Sequence, residues 1–137
     1  VVLASFIPML MDTGGNSGSQ SSTLVIRGIA LGEISLQDWP KVLGKEFRVS
    51  LITGVILAAA NFLRMMLIGK ANLAVMLTVS VTLICTVVLS KLIGGILPIA
   101  AKALKMDPAI MAGPLITTLV DAIVLFIYFG VANVLIF

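Results

Sequence analysis

Long apolar segments separated by short polar connections dominate the hydropathy pattern of the chain. A helix needs about 20 apolar residues to cross the hydrocarbon of a bilayer, so the pattern predicts about four crossings. The second segment has a short uncharged core between Arg48 and Arg64, whose long side chains can reach the interface. The predicted fold is all-α, a polytopic membrane helix bundle. Its segments are residues 1–32, 47–69, 72–104 and 108–137.

Two connections carry signals of local structure. The stretch EISLQDWPKVLGKEFR, after the first segment, places apolar residues on one helical face and Trp39 among basic residues. Tryptophan and basic side chains favour the headgroup region, which predicts a short interfacial helix, with a plain loop as the alternative. Before the fourth segment, Asp107 is the predicted N-cap and Pro108 a first-turn residue.

The composition agrees with lipid as the solvent of this chain. Of its 137 residues, 60% are hydrophobic and 11% are charged, and the mean hydropathy is +1.21. The absence of histidine excludes imidazole metal ligands, and the single cysteine, Cys85, excludes an internal disulfide. No phosphate-binding loop, dinucleotide fingerprint or nucleic-acid motif is present, so we expect neither an enzyme nor a nucleic-acid partner. Because the first residue is Val and no signal peptide is recognisable, we expect part of a longer protein.

Basic residues are distributed unevenly among the connections, and this bias predicts the orientation of the chain. Six of them fall near the first and third connections and two near the second. We therefore expect connections 33–46 and 102–107 in the cytoplasm and both termini outside, in the inner (plasma) membrane. Lys91 fits neither group. The six are Arg27, Lys41, Lys45, Arg48, Lys102 and Lys105, and the two are Arg64 and Lys70.

One carboxylate, Asp121, interrupts the fourth apolar segment. A charge at the bilayer centre costs about 2.5–3.5 kcal/mol on insertion scales, so Asp121 must face a partner or water. Thr117 and Thr118 lie one turn earlier on the same face. Pro114, a further turn back, cannot donate a backbone hydrogen bond and is expected to free a carbonyl oxygen within the helix. The result is an oxygen-rich patch, unless Asp121 pairs with a lysine such as Lys91.

The first segment contains the polar run MDTGGNSGSQSST. Read as a helix, it has a small-residue face suited to close packing and a polar stripe on a second face. Alternatively, Gly14 and Gly15 break the helix and turn carbonyl groups into a cavity. Helix packing alone is a third interpretation, but it does not explain the polar stripe. The small face holds Gly14, Gly18 and Ser22, and the stripe holds Asp12, Asn16, Ser19 and Thr23, with Gln20 beside it.

These two segments offer oxygen donors at membrane depth, without imidazole or thiolate. Such donors suit a hard cation such as Mg²⁺, Ca²⁺ or Mn²⁺. Mg²⁺ keeps several of its waters, so one carboxylate with amide and carbonyl groups is enough to hold it. A dehydrated Ca²⁺ ion would want more carboxylates. The residues therefore favour a pathway for Mg²⁺.

Two runs, PMLMDTGGNSGSQSSTLVIRGIALGEI and DPAIMAGPLITTLVDAIVLFIYF, resemble the transmembrane domain of the MgtE family of magnesium channels. The resemblance covers nearly the whole chain. It implies a homodimeric, Mg²⁺-selective pore with five membrane helices per subunit, of which this chain holds the second to the fifth. The first helix and the cytoplasmic regulatory and CBS domains have no counterpart here, so their gating cannot be carried over.

The resemblance also implies roles for individual residues. Asp121 would hold a hydrated Mg²⁺ ion at the pore centre, with backbone oxygen around Thr117 nearby. The expected function is a channel that conducts Mg²⁺ into the cytoplasm, with Mg²⁺ as transported ion. The alternatives are a carrier that exchanges Mg²⁺ for Na⁺ or H⁺, and a membrane assembly module that transports nothing. The expected pore-lining residues are Gly14, Gly15, Asn16, Gly18 and Gln20 of the first segment and Thr118 and Pro114 of the fourth, with Asp12 near the outer mouth.

Overall fold

The computed structural model describes residues 3–69 and 72–136, which form an all-helical bundle. This confirms the predicted all-α class. Lys70, which entered the charge count, and the predicted segment ends at Val1 and Phe137 lie outside the described residues. The α-helices of the described ranges are α1 (Ile7–Ala30), α2 (Trp39–Ile68), α3 (Leu73–Ala103) and α4 (Pro114–Leu135).

In the described ranges, 3 helical segments are long and apolar enough to cross a membrane. They are Leu36–Ile68, Leu73–Ala103 and Pro108–Leu135. The protein is therefore a multi-pass membrane protein. Helix α1 has 24 residues, about 36 Å at the rise of an α-helix, and is long enough to cross a membrane. Its polar side chains make it less apolar than these 3 segments. Its crossing stays a prediction.

The glycine-rich run lies within α1 and does not interrupt it. The helix is continuous through Gly14 and Gly15, so the broken-helix alternative is wrong. Each glycine inside a helix costs about 1 kcal/mol relative to alanine. Gly14, Gly15 and Gly18 lie against neighbouring helices, and that close packing offsets the cost.

The predicted interfacial helix forms the first turns of α2 and is not separate from it. Ser35 is the N-cap of a short 3₁₀ turn, Leu36–Asp38, and its backbone N–H donates to Oδ2 of Asp38 at 2.9 Å. Helix α2 then runs from Trp39 to Ile68 without a break, so it begins well before residue 47 and the plain-loop alternative is wrong. Pro40 is tolerated because it lies in the first turn, where a backbone N–H has no helical partner.

The fourth segment is divided near its start. The Asp107 side chain accepts a hydrogen bond from the Ala109 N–H at 3.0 Å and caps a 3₁₀ turn, Pro108–Met111. Gly113, with a φ of 63°, then redirects the chain, and α4 begins at Pro114. The prediction that Pro114 frees a carbonyl inside a helix is therefore wrong, because Pro114 opens the helix.

Helix α3 packs against each of the other three helices. Its closest approach is to α1, where Gly94 lies against the backbone of Gly18 so tightly that a Cβ atom at Gly94 would collide with the Gly18 carbonyl. Small residues permit such approach between membrane helices. Helix α4 packs beside α3 on the same small-residue face of α1, with Val120 and Val124 against Gly14.

We predict that Gly94→Ala destabilises the bundle by about 1–3 kcal/mol, because the added methyl group has no room between α1 and α3. Thermal unfolding in detergent measures the change. The control is Gly44→Ala, at a helical glycine with nothing within 4 Å of its added Cβ atom, where better helix propensity should leave stability equal or slightly higher. Equal stability of Gly94→Ala and the unsubstituted chain would contradict the close contact.

Candidate functional site

Asp121 lines a groove of about 270 Å³ between α1 and α4. Its neighbour Val120 is fully buried against α1, and this contact fixes Asp121 at the groove. Within the described residues the Asp121 carboxylate has no hydrogen bond or ion pair. An unpaired carboxylate in an apolar helix is therefore turned toward an open polar groove. The groove is lined by Met11, Asp12, Gly15, Asn16, Ser19, Thr117 and Asp121.

A second carboxylate, Asp12, shares this groove with Asp121. The Asn16 side-chain amide donates to Oδ2 of Asp12 at 3.3 Å, one helical turn apart on α1. The described residues contain no group of 3 or more His, Cys, Asp or Glu side chains that could chelate a metal ion. Two carboxylates with amide and hydroxyl groups match a hard cation that keeps its water shell.

The other residues singled out from the sequence occupy different places. Gly14 and Gly18 are buried in helix contacts, Gly14 against Val120 and Thr86, and do not line the groove. Thr118 and Pro114 are exposed on α4 and are also absent from the groove lining. Gly15 does line it, and a Cβ atom there would lie 3.4 Å from Cγ2 of Thr117.

A second groove, of about 550 Å³, is lined by residues of α1 and by Lys91 of α3. Lys91 is only 6% exposed, and within the described residues it has no hydrogen bond or ion pair. The alternative that Asp121 pairs with Lys91 is therefore wrong, because the two side chains line different grooves. Gln20 belongs to this second groove, whose lining residues are Asn16, Ser19, Gln20, Thr23, Leu24 and Lys91.

A family model named MgtE and described as a divalent cation transporter matches residues 7–131. The chain belongs to the MgtE family. The family consists of transporters, and the protein is not an enzyme.

Relatives of this MgtE chain include the magnesium transporter MgtE of Thermus thermophilus, 38% identical over 137 residues. The magnesium transporter MgtE of Bacillus subtilis is 38% identical over 133 residues, and that of Enterococcus faecalis is 30% identical over 134 residues. The alignments cover 97%, 97% and 96% of this chain respectively. The chain spans only 29% of the length of each relative.

One buried polar contact of this MgtE chain was not predicted from the sequence. Glu46 of α2 is 6% exposed, and Ser21 of α1 donates its hydroxyl hydrogen to Oε2 of Glu46 at 2.6 Å. A signal was present, because Ser50, Gly54 and Ala58 repeat at four-residue spacing and all three are buried. Glu46 lies one turn before them on the same face. This stripe marks the packed face of α2 and places Glu46 on it.

We predict that Ser21→Ala destabilises the bundle by about 1–3 kcal/mol, since it leaves a buried carboxylate without its donor. Thermal unfolding in detergent again provides the measurement. The matched control is Ser80→Ala, because the Ser80 hydroxyl donates to the Met76 carbonyl of its own helix at 2.8 Å and serves no neighbouring helix. If both variants lose equal stability, the contact between Ser21 and Glu46 contributes nothing specific.

Proposed function

We propose that this chain is the ion-conducting part of a magnesium channel, which passes hydrated Mg²⁺ along the polar face of α1. The observation that carries the proposal is the unpaired Asp121 carboxylate, which lines a groove together with Asp12 and Asn16. The names of the three relatives, all magnesium transporters, support the choice of ion.

The chemistry of the groove suits a hydrated divalent ion. Asp121 supplies a charge whose burial in the membrane is unfavourable without a counterion or water. A Mg²⁺ ion that keeps its waters can be held through them by carboxylate, amide and hydroxyl groups. In this groove Asn16, Ser19 and Thr117 supply such groups, and Asp12 adds a second negative charge.

The membrane potential can drive this flow without a coupled reaction. A divalent ion gains about 4.6 kcal/mol per 100 mV, twice the value for a single charge. We propose the orientation that the basic residues favour, with connections 33–46 and 102–107 in the cytoplasm of a plasma-membrane protein. The C-terminal end of α1, where Arg27 lies, then faces the cytoplasm.

We further propose that two copies of the chain form the pore. In one copy Asp12 and Asn16 are exposed, and the groove beside them is open on one side. A two-fold axis along this face would close the groove and bring two Asp121 carboxylates to one path. Small, close-packed residues on the other face of α1 leave the polar face free for this contact.

The test is Mg²⁺ uptake into proteoliposomes, comparing the unsubstituted chain with Asp121→Asn and using the Thermus thermophilus relative as a positive control. Asparagine keeps the size of the side chain and removes its charge. We expect uptake to fall by about tenfold or more, the effect of losing at least 1.4 kcal/mol of ion stabilisation. The matched control is Glu33→Gln, at an exposed carboxylate outside both grooves, which should leave uptake unchanged.

Each result bears on the proposal directly. Unchanged uptake in a folded Asp121→Asn variant would overturn Asp121 as the ion site. Uptake that requires an opposing Na⁺ or H⁺ gradient would replace the channel by an exchanging carrier. If the relative conducts and this chain does not, the chain by itself is not a conducting pore.

A further inference from the structure

We propose that Lys91 places a fixed positive charge in the ion pathway, on the cytoplasmic side of Asp121, and that this charge limits the rate at which cations pass. The inference rests on the proposed function and on the orientation given with it. It assigns a role to Lys91, the basic residue that lies inside an apolar segment and not near a connection.

Lys91 is a buried lysine whose ammonium group has no partner within the described residues. The residue is 6% exposed and has no hydrogen bond or ion pair within the described ranges of the chain. The buried acid Glu46 packs on Gly95, one turn along α3 from Lys91, yet it accepts its hydrogen bond from Ser21. Because burying an unpaired charge is costly, the inference requires water in the groove that Lys91 lines to hydrate the amine.

This groove adjoins the groove of Asp121. Asn16 and Ser19 line both, so the two grooves meet on the polar face of α1. On average, the α1 residues that line the Lys91 groove lie about six residues nearer the C-terminus of α1 than those that line the Asp121 groove, which is about 9 Å along the helix axis. An ion that moves inward from Asp121 along this face therefore passes the ammonium group next.

A fixed charge affects divalent and monovalent cations to different extents, whereas a residue that only packs affects both equally. We take this spacing of about 9 Å as the distance between the ammonium group and an ion beside Asp121. In water, a unit positive charge at that distance lowers the population of a divalent cation about fivefold. The same charge lowers the population of a monovalent cation only about twofold, because the interaction energy is half as large. Removal of the Lys91 charge should therefore raise Mg²⁺ flux by about the square of its effect on Na⁺ flux.

The experiment places a cysteine at this position, as Lys91→Cys in a Cys85→Ala background, which removes the chain's single natural cysteine. Proteoliposomes are treated with methanethiosulfonate reagents that attach a positive, a neutral or a negative group. We expect the thiol at position 91 to react with the charged reagents and Lys91→Cys to conduct Mg²⁺ about fivefold faster at subsaturating concentration. The positive adduct should restore the slower rate, and the negative adduct should raise it further.

Two variants control for folding and for general charge. Lys91→Arg keeps the charge and should conduct like the unsubstituted chain. Lys102→Met removes a lysine that is exposed near the cytoplasmic end of α3 and lines neither of these two grooves, and it should not change the ratio of Mg²⁺ to Na⁺ flux. Thermal unfolding of each variant identifies any loss of structure.

The outcomes separate this inference from the proposed function. A thiol at position 91 that fails to react in a folded variant means a dry or covered groove and overturns the inference. Labelling without a change in flux, or equal effects on Mg²⁺ and Na⁺, also overturns it while Asp121 keeps its role. If the unsubstituted chain conducts no Mg²⁺ at all, the proposed function fails first, and the role of Lys91 fails with it.

Discussion

The structure depends on the backbone contact between α1 and α3 at Gly18 and Gly94. Inside a bilayer, helices gain little from hydrophobic burial against one another, because lipid is as apolar as their side chains. A helix as polar as α1 is held instead by close van der Waals packing. The two glycines bring the backbones near enough for that packing, and a side chain at Gly94 would collide with the Gly18 carbonyl.

This contact fixes how α1 presents its other faces. On its packed side, the hydroxyl groups of Ser21 and Ser22 donate to Glu46 and to the Met111 carbonyl, so they are satisfied inside the bundle. Helix α4 covers Gly14 with Val120 and Val124. What remains uncovered is the stripe that contains Asp12 and Asn16. Tight packing on one side of α1 thus leaves Asp12 and Asn16 exposed on the other side.

Charges of opposite sign flank that uncovered stripe. Asp121 lies between α1 and α4, Lys91 lies between α1 and α3, and within the described residues neither has an ion-pair partner. A bundle that needed these charges only for stability would pair them. Their separation by one polar helix face supports the ion path that we propose for this member of a family of divalent cation transporters.

The sequence by itself determined the all-α membrane class, the bounds of α3 to within a residue, and the family, because apolar length and the glycine-rich and DPA…GP…TT…D runs are local properties of the chain. It also identified Asp121, since one carboxylate in an apolar segment is visible without a fold. Only the tertiary structure decided that Asp12 shares a groove with Asp121, that Lys91 lines another, and that Ser21 holds Glu46. Those relations depend on the relative rotation of the helices, which contacts distant in sequence fix and hydropathy does not encode.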